Sequence, residues 1–224
     1  MTLSEAQKRG IGLALNEARL LGLEFQAADR IVNTTFQVLS LPKQGPVPPD
    51  PRVVLVFHPV GRLAASLRHG YWDDEQAAIE NVQLDQLLSI VQSFGGGAIY
   101  GWNFIDLDDE VLEQWQNRLS LDHRAGPEGQ THSILLFQEG GSPDHPRHLD
   151  IWIWFDQVRV FDAKLKEIEL EEFIAGGKRW WDGFYAGDAR TANVGLNRFP
   201  PGEGPPPGEG MIVDSRGSWR RTRI

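Results

Sequence analysis

The stretch SPDHPRHLD places Asp144, His145, His148 and Asp150 within seven positions. Imidazole nitrogens and carboxylate oxygens are ligands of zinc, manganese and iron, and a hairpin loop can turn such side chains toward one ion. A divalent metal held there would make the chain a metal-dependent hydrolase or a small-molecule-binding protein. Asp and His are also ordinary solvated loop residues, and Pro143 and Pro146 say only that the loop is stiff. On that plainer reading the protein needs no cofactor.

A second constellation is KRWWDGFYAGDAR, where Trp180, Trp181, Asp182, Tyr185 and Arg190 are candidate binding residues. Trp, Tyr and Arg are enriched at binding hot spots. Neighbouring tryptophans on one regular element do not easily both face a core, so at least one is expected to be partly exposed. Trp152 and Trp154 share one strand face, and Trp72, Trp102 and Trp115 lie near element edges. They are expected mainly in the core, with an aromatic-walled cleft as the functional alternative.

Two acidic groups could do acid/base work or hold a cation: Asp73, Asp74 and Glu75, and Asp106, Asp108 and Asp109. The second group sits where a helix should begin, so capping explains it. There is no GxxxxGK[ST], no complete GxGxxG after a strand, no HExxH and no GxSxG. Gly95, Gly96 and Gly97 are followed by no lysine and read as a helix stop.

The charge is unevenly placed. The whole chain carries −9, of which residues 211–224 contribute +3 and residues 199–210 contribute −2, leaving −10 on residues 1–198. A body of that sign repels nucleic acid and anionic lipid and steers basic partners toward itself. The absence of cysteine removes disulfides and thiolate chemistry, the first residues lack a signal-peptide core, and no apolar run spans a bilayer, so the expected compartment is cytoplasmic.

These side chains must be positioned by an α+β fold with a largely antiparallel sheet. The spacing of Ile11, Ala14, Leu15, Ala18 and Leu21 predicts an N-terminal helix, capped by Thr2 with Glu5 and closed by Gly22. Two strands follow across the turn at Asp29-Arg30. RVVLVFH and RLAASLRH then read as separate strands about Pro59-Val60-Gly61, completing a four-stranded meander with Arg62, Ser66 and Arg68 facing solvent. Residues 83–94 read as a helix, AIYGWNFI as a strand and DLDDEVLEQWQNRL as another helix. HSILLFQ reads as a strand, followed by the loop EGGSPDHPRH and the strands LDIWIWF and QVRVFDA, and ELEEFIAGG as a short helix stopped at Gly176-Gly177.

Residues 1–198 are expected to be one α+β domain, 199–210 a flexible Pro/Gly-rich linker and 211–224 a basic tail. Prolines without amide donors and glycines with wide conformational freedom cannot hold regular structure over FPPGEGPPPGEG. The tail joins Met211, Ile212, Val213 and Trp219 to arginines including Arg220 and Arg221, a mixture suited to adding a strand or gripping an acidic surface. The expected function is a non-catalytic cytoplasmic protein-binding module, such as an inhibitor or immunity-type protein. Its acidic, aromatic-containing surface would meet a basic partner protein, and the tail, as a docking arm, its own body or a second protomer. The alternative is the small-molecule binder or hydrolase built on Asp144, His145, His148 and Asp150.

Overall fold

The computed structural model describes residues 2–72, 74–101, 103–107, 116–127 and 129–192, with the backbone of 211–213 and 219–221. Helix α1 (Glu5–Leu15) is capped two residues later than the spacing of Thr2 and Glu5 suggests. The Ser4 hydroxyl accepts from the Gln7 amide at 3.2 Å, and the Gln7 side chain accepts from the Ser4 amide at 2.9 Å. The helix also stops seven residues before Gly22. Asn16 is extended and Glu17 has φ 61°, which turns the chain so that Ala18, Leu20 and Leu23 enter the core as strand.

The sheet has eight strands, all antiparallel. They are β1 (Arg19–Gln26), β2 (Ile31–Gln37), β3 (Arg52–His69), β4 (Ala78–Glu80), β5 (Leu121–Arg124), β6 (His132–Ser142), β7 (His145–Asp162) and β8 (Glu167–Ile168). The main order is β1-β2-β3-β7-β6, with β4 and β5 also on β3 and β8 on β7. An α+β fold with an N-terminal helix on a large antiparallel sheet is therefore what the chain forms.

The spine is two 18-residue strands, where the sequence suggests four separate ones. The pattern breaks at Pro59-Val60-Gly61 and Asp156-Gln157 are real, but they mark a change of phase inside continuous strands. In β3 the core-facing residues run Val53, Leu55, Phe57, then Val60, then Leu63, Ala65 and Leu67; in β7 they run Leu149, Ile151, Ile153 and Phe155, then Val160. A bulge between Val60 and Arg62 accompanies the step from Val60 to Leu63, whereas at Asp156-Gln157 both strands change phase with no shift in the ladder. A bulge reverses which face a residue occupies without ending the pairing. The predicted loop between Gln138 and Leu149 is likewise mostly ladder: β6 and β7 pair out to Ser142 opposite His145, leaving a two-residue turn at Pro143-Asp144.

Helix α2 (Leu87–Ser93), preceded by a 3₁₀ turn at Leu84–Gln86, ends at Gly95 and Gly96, both at positive φ. The described residues of AIYGWNFI form no strand. They make only isolated bridges, Ala98 to Arg19 and Ile105 to Ile134. The helix expected over DLDDEVLEQWQNRL falls mainly on residues 108–115, outside those described, as do Asp73, Trp102, Trp115 and the linker 199–210.

Helix α3 (Leu170–Ala186) runs through Gly176-Gly177, the expected stop. A Cβ on Gly177 would lie 2.6 Å from Ala14 Cα, so glycine is there to let α1 and α3 approach. The main core lies between α1, α2, α3 and one sheet face. A smaller cluster on the opposite face gathers Ala64, Leu135 and Trp152 with Leu107, Leu119 and Trp154. No helix among the described residues is long and apolar enough to cross a membrane.

Candidate functional site

The outer edge of β7 is paired twice, with a gap between. β6 pairs β7 as far as His132 opposite Phe155, and β8 resumes at Ile168 opposite Val160. Among the described residues, Asp156–Arg159 therefore have β3 on one side and no strand on the other. The matching gap on β3, between β2 and β5, is filled: Val60 N–H donates to Arg30 O at 2.8 Å and Ala125 N–H to Gly61 O at 2.8 Å. Among the described residues no main-chain bond fills the gap on β7 in the same way. Unpaired strand edges are templates for another strand.

Beside this edge is a cavity of 270 Å³, lined by Thr2, Leu3 and Gln7 on one side and by the junction of β8 with α3 on the other. Val158, Val160, Ile168 and Leu170 supply apolar lining, and Glu167, Glu169 and Glu171 supply carboxylates. Glu167 chelates Arg159 through two bonds of 2.7 and 2.6 Å, and Glu171 accepts from Gln7 at 2.9 Å. Drug-sized ligands occupy roughly 300–1,000 Å³. This cavity is below that range and suits a few side chains of a docked segment.

One wall of the groove is held by a latch. The Leu3 amide donates to His132 Nε2 at 2.9 Å, so that nitrogen is the acceptor and Nδ1–H faces Asp106 at 2.8 Å. Asp106 also accepts from the Ser133 amide at 2.9 Å and pairs with Lys8 at 2.5 Å. Burial pushes its carboxyl up, but Lys8, His132 and Ser133 more than reverse this and hold it below the usual carboxylate range. With both ring nitrogens engaged, His132 works as a tether. Asp106 sits at φ 54° and ties the N-terminal segment to β6, and the helix it was expected to cap lies mainly outside the described residues.

On the opposite sheet face lies a buried charged cluster. Arg68, only 1% exposed, donates through Nη2 to Asp150 Oδ2 and through Nη1 to Trp72 O at 3.1 Å. His148 donates from Nε2 to Asp150 Oδ1 at 2.9 Å. Burial alone would raise the Asp150 carboxyl, but His148 and Arg68 hold it below its ordinary range. His148 Nδ1 has no hydrogen-bond partner among the described residues, with Glu139 Oε1 3.9 Å away, and Phe137 stacks on the ring.

The proposed metal ligands do not converge. Asp144 is in the hairpin turn and His145 beside it, both exposed, while His148 and Asp150 are buried further down β7, where Asp150 already accepts from both Arg68 and His148. Among the described residues no three His, Cys, Asp or Glu side chains gather to hold a metal ion. Strand geometry is the reason: once the loop is ladder, successive residues alternate between faces and climb about 3.3 Å each.

The aromatic cluster is also rearranged. Trp180 and Trp181 are both buried, at 3% and 7% exposure, correcting the expectation that one would be partly exposed. Helix α3 is flanked on two sides, by Leu13 of α1 and by Leu39 and Leu41 after β2. Trp180 stacks on Phe184 at 5.2 Å, and Trp181 Nε1–H donates to Leu13 O at 3.2 Å. Asp182 pairs with Lys178 at 2.6 Å, Arg190 chelates Asp188, and Tyr185 is 47% exposed. Trp219, Arg220 and Arg221 form a three-residue strand, β10 (Trp219–Arg221), paired with β9 (Met211–Val213).

Sequence reasoning missed Arg68, read as solvent-facing with Ser66, although both are buried beneath residues 116–120: the Ser66 hydroxyl donates to Arg118 O at 2.6 Å. It also missed the acidic rim, whose signal was the alternation of glutamates in KEIELEE. Comparison with protein-family models, curated proteins and solved structures finds no match in any of the three.

Proposed function

We propose that this protein is a non-catalytic binding module that takes an extended, positively charged segment of a partner protein along the open edge of β7. The observation that carries this reading is the unpaired stretch Asp156–Arg159 beside the carboxylates of Glu167, Glu169 and Glu171. Main-chain bonds to a strand edge supply affinity independent of sequence, and side-chain pockets and rim charge supply selection. A net charge of −9 adds long-range attraction for a basic partner and discourages nucleic acid. An inhibitor or immunity-type protein, working in the cytoplasm and covering a basic surface, fits this description. The hydrolase reading loses its support with the separation of Asp144 and His145 from His148 and Asp150.

The test is fluorescence anisotropy of a labelled eight-residue peptide alternating valine and arginine, titrated with the full chain, beside the valine–glutamate counterpart. The basic peptide is expected to bind and the acidic one not to. Glu169→Lys with Glu171→Lys should weaken the basic peptide about tenfold or more, chiefly at low salt. A dissociation constant unchanged by the two reversals would sink the proposal.

A further inference from the structure

We propose that the resident occupant of this edge is the chain's own basic tail, with strand β9 (Met211–Val213) laid beside Asp156–Arg159. The proposal rests on the groove reading above and names the occupant of that same site.

Size is the first support. The opening is four residues long, between the last β6 pair and the first β8 pair, and β9 and β10 are three residues each. Among the described residues these two strands pair only with each other, which leaves each with a free edge. Addition of β9 would fill the break between β6 and β8 and cover a strand edge that is otherwise open to aggregation.

Chemistry is the second. Met211, Ile212 and Val213 suit a groove lined by Leu3, Val158, Val160, Ile168 and Leu170, while residues 211–224 carry +3 toward Glu169 and Glu171, Glu167 being already paired with Arg159.

Reach is the third. The groove lies at the first turn of α3, and the described body ends at Ala192, just beyond the other end of that helix. Seventeen residues of helix span about 25 Å at 1.5 Å per residue. The eighteen residues 193–210 could reach at most about 56 Å at the 3.1 Å per residue of polyproline II, about twice the length of that helix. A tether long enough to span the sites makes docking intramolecular, so a contact too weak to form between separate molecules is favoured here. The consequence is regulatory: a partner's basic segment has to displace the tail, which raises the threshold for binding and protects the free protein.

The chain has no cysteine, which makes the test clean. Gln157→Cys with Ile212→Cys, in the full chain at low micromolar concentration under mild oxidant, should form an intramolecular disulfide. Ala186→Cys with Ile212→Cys is the comparison, because Ala186 is exposed and close to where the tail leaves the body. A free tail meets position 186 more often than position 157, so faster closure of the 157–212 pair supports docking. Faster closure at 186, or a disulfide-linked dimer in place of the ring, overturns the assignment. The valine–arginine peptide separates this from the underlying reading. If it binds the wild-type chain in the rim-dependent way while 157–212 closure is slow, the tail proposal fails and the groove stands. If it does not bind and closure is also slow, both fail.

Discussion

Arg68→Met should be among the most damaging single changes available in this chain. Arg68 is 1% exposed and Asp150 7%, so removing the guanidinium leaves a buried carboxylate with His148 as its remaining partner, and strands the Trp72 carbonyl. Breaking one half of a buried ion pair costs about 3–5 kcal/mol, whereas replacing both halves with apolar groups is often close to neutral. Arg68→Met with Asp150→Leu should therefore recover much of the loss. The acid dependence adds a second signature. In the wild type Asp150 is depressed, so its stabilisation is present above the unfolded carboxyl value of about 3.9 and is lost as pH falls through the lower folded value. Removing Arg68 lifts the folded value, and the difference between variant and wild type shrinks as the medium becomes acid enough to protonate the orphaned carboxylate. Urea unfolding followed by tryptophan fluorescence at pH 7 and at about pH 4.5 measures both effects. A loss under about 1 kcal/mol at pH 7, or one that grows toward acid pH, would refute the reasoning.

Three further outcomes follow from particular contacts. Gly177→Ala adds about 1 kcal/mol of helix propensity but forces a Cβ to within 2.6 Å of the Ala14 backbone, an overpacking cost of about 1–3 kcal/mol, so a lower Tm by calorimetry is expected. Gly141→Ala meets both a positive φ of 84° and the His145 carbonyl, and should lower stability by about 2 kcal/mol or more, with faster amide exchange over Gly140–Arg147. Asp106→Asn removes a carboxyl held below its ordinary range by Lys8, His132 and Ser133. Wild-type stability tied to Asp106 is present above about pH 4 and lost as pH falls through its folded value, so the variant should show a flatter acid limb between about pH 5 and 3.

Much of the fold was legible in the amino-acid order because it is local. The turn at Asp29-Arg30, the apolar alternation of β2 and β3, and the glycines that end α2 are set by residues within a few positions of one another. The groove was not legible. Its parts come from residues 2–7, 157–160 and 167–171, and nothing in any one of these segments announces the others.

By itself the sequence determined composition, charge and period: an acidic body with a basic end, an α+β alternation of apolar patterns, and breaks in those patterns at Pro59-Val60-Gly61 and Asp156-Gln157. Tertiary structure decided what each break and each polar residue means. A phase change reads as a loop in an isolated strand, but the pairing runs through it when a long neighbour continues the ladder, as β3 and β7 do for each other. Gly176-Gly177 ends a free helix but lets a packed one come close to α1. Arg68, His148 and Asp150 look like surface residues until a cross-strand partner and a covering segment take them out of water. The physical reason is common to all three: local preferences are worth about 1 kcal/mol or less per residue, while burial and close packing between distant segments are worth several.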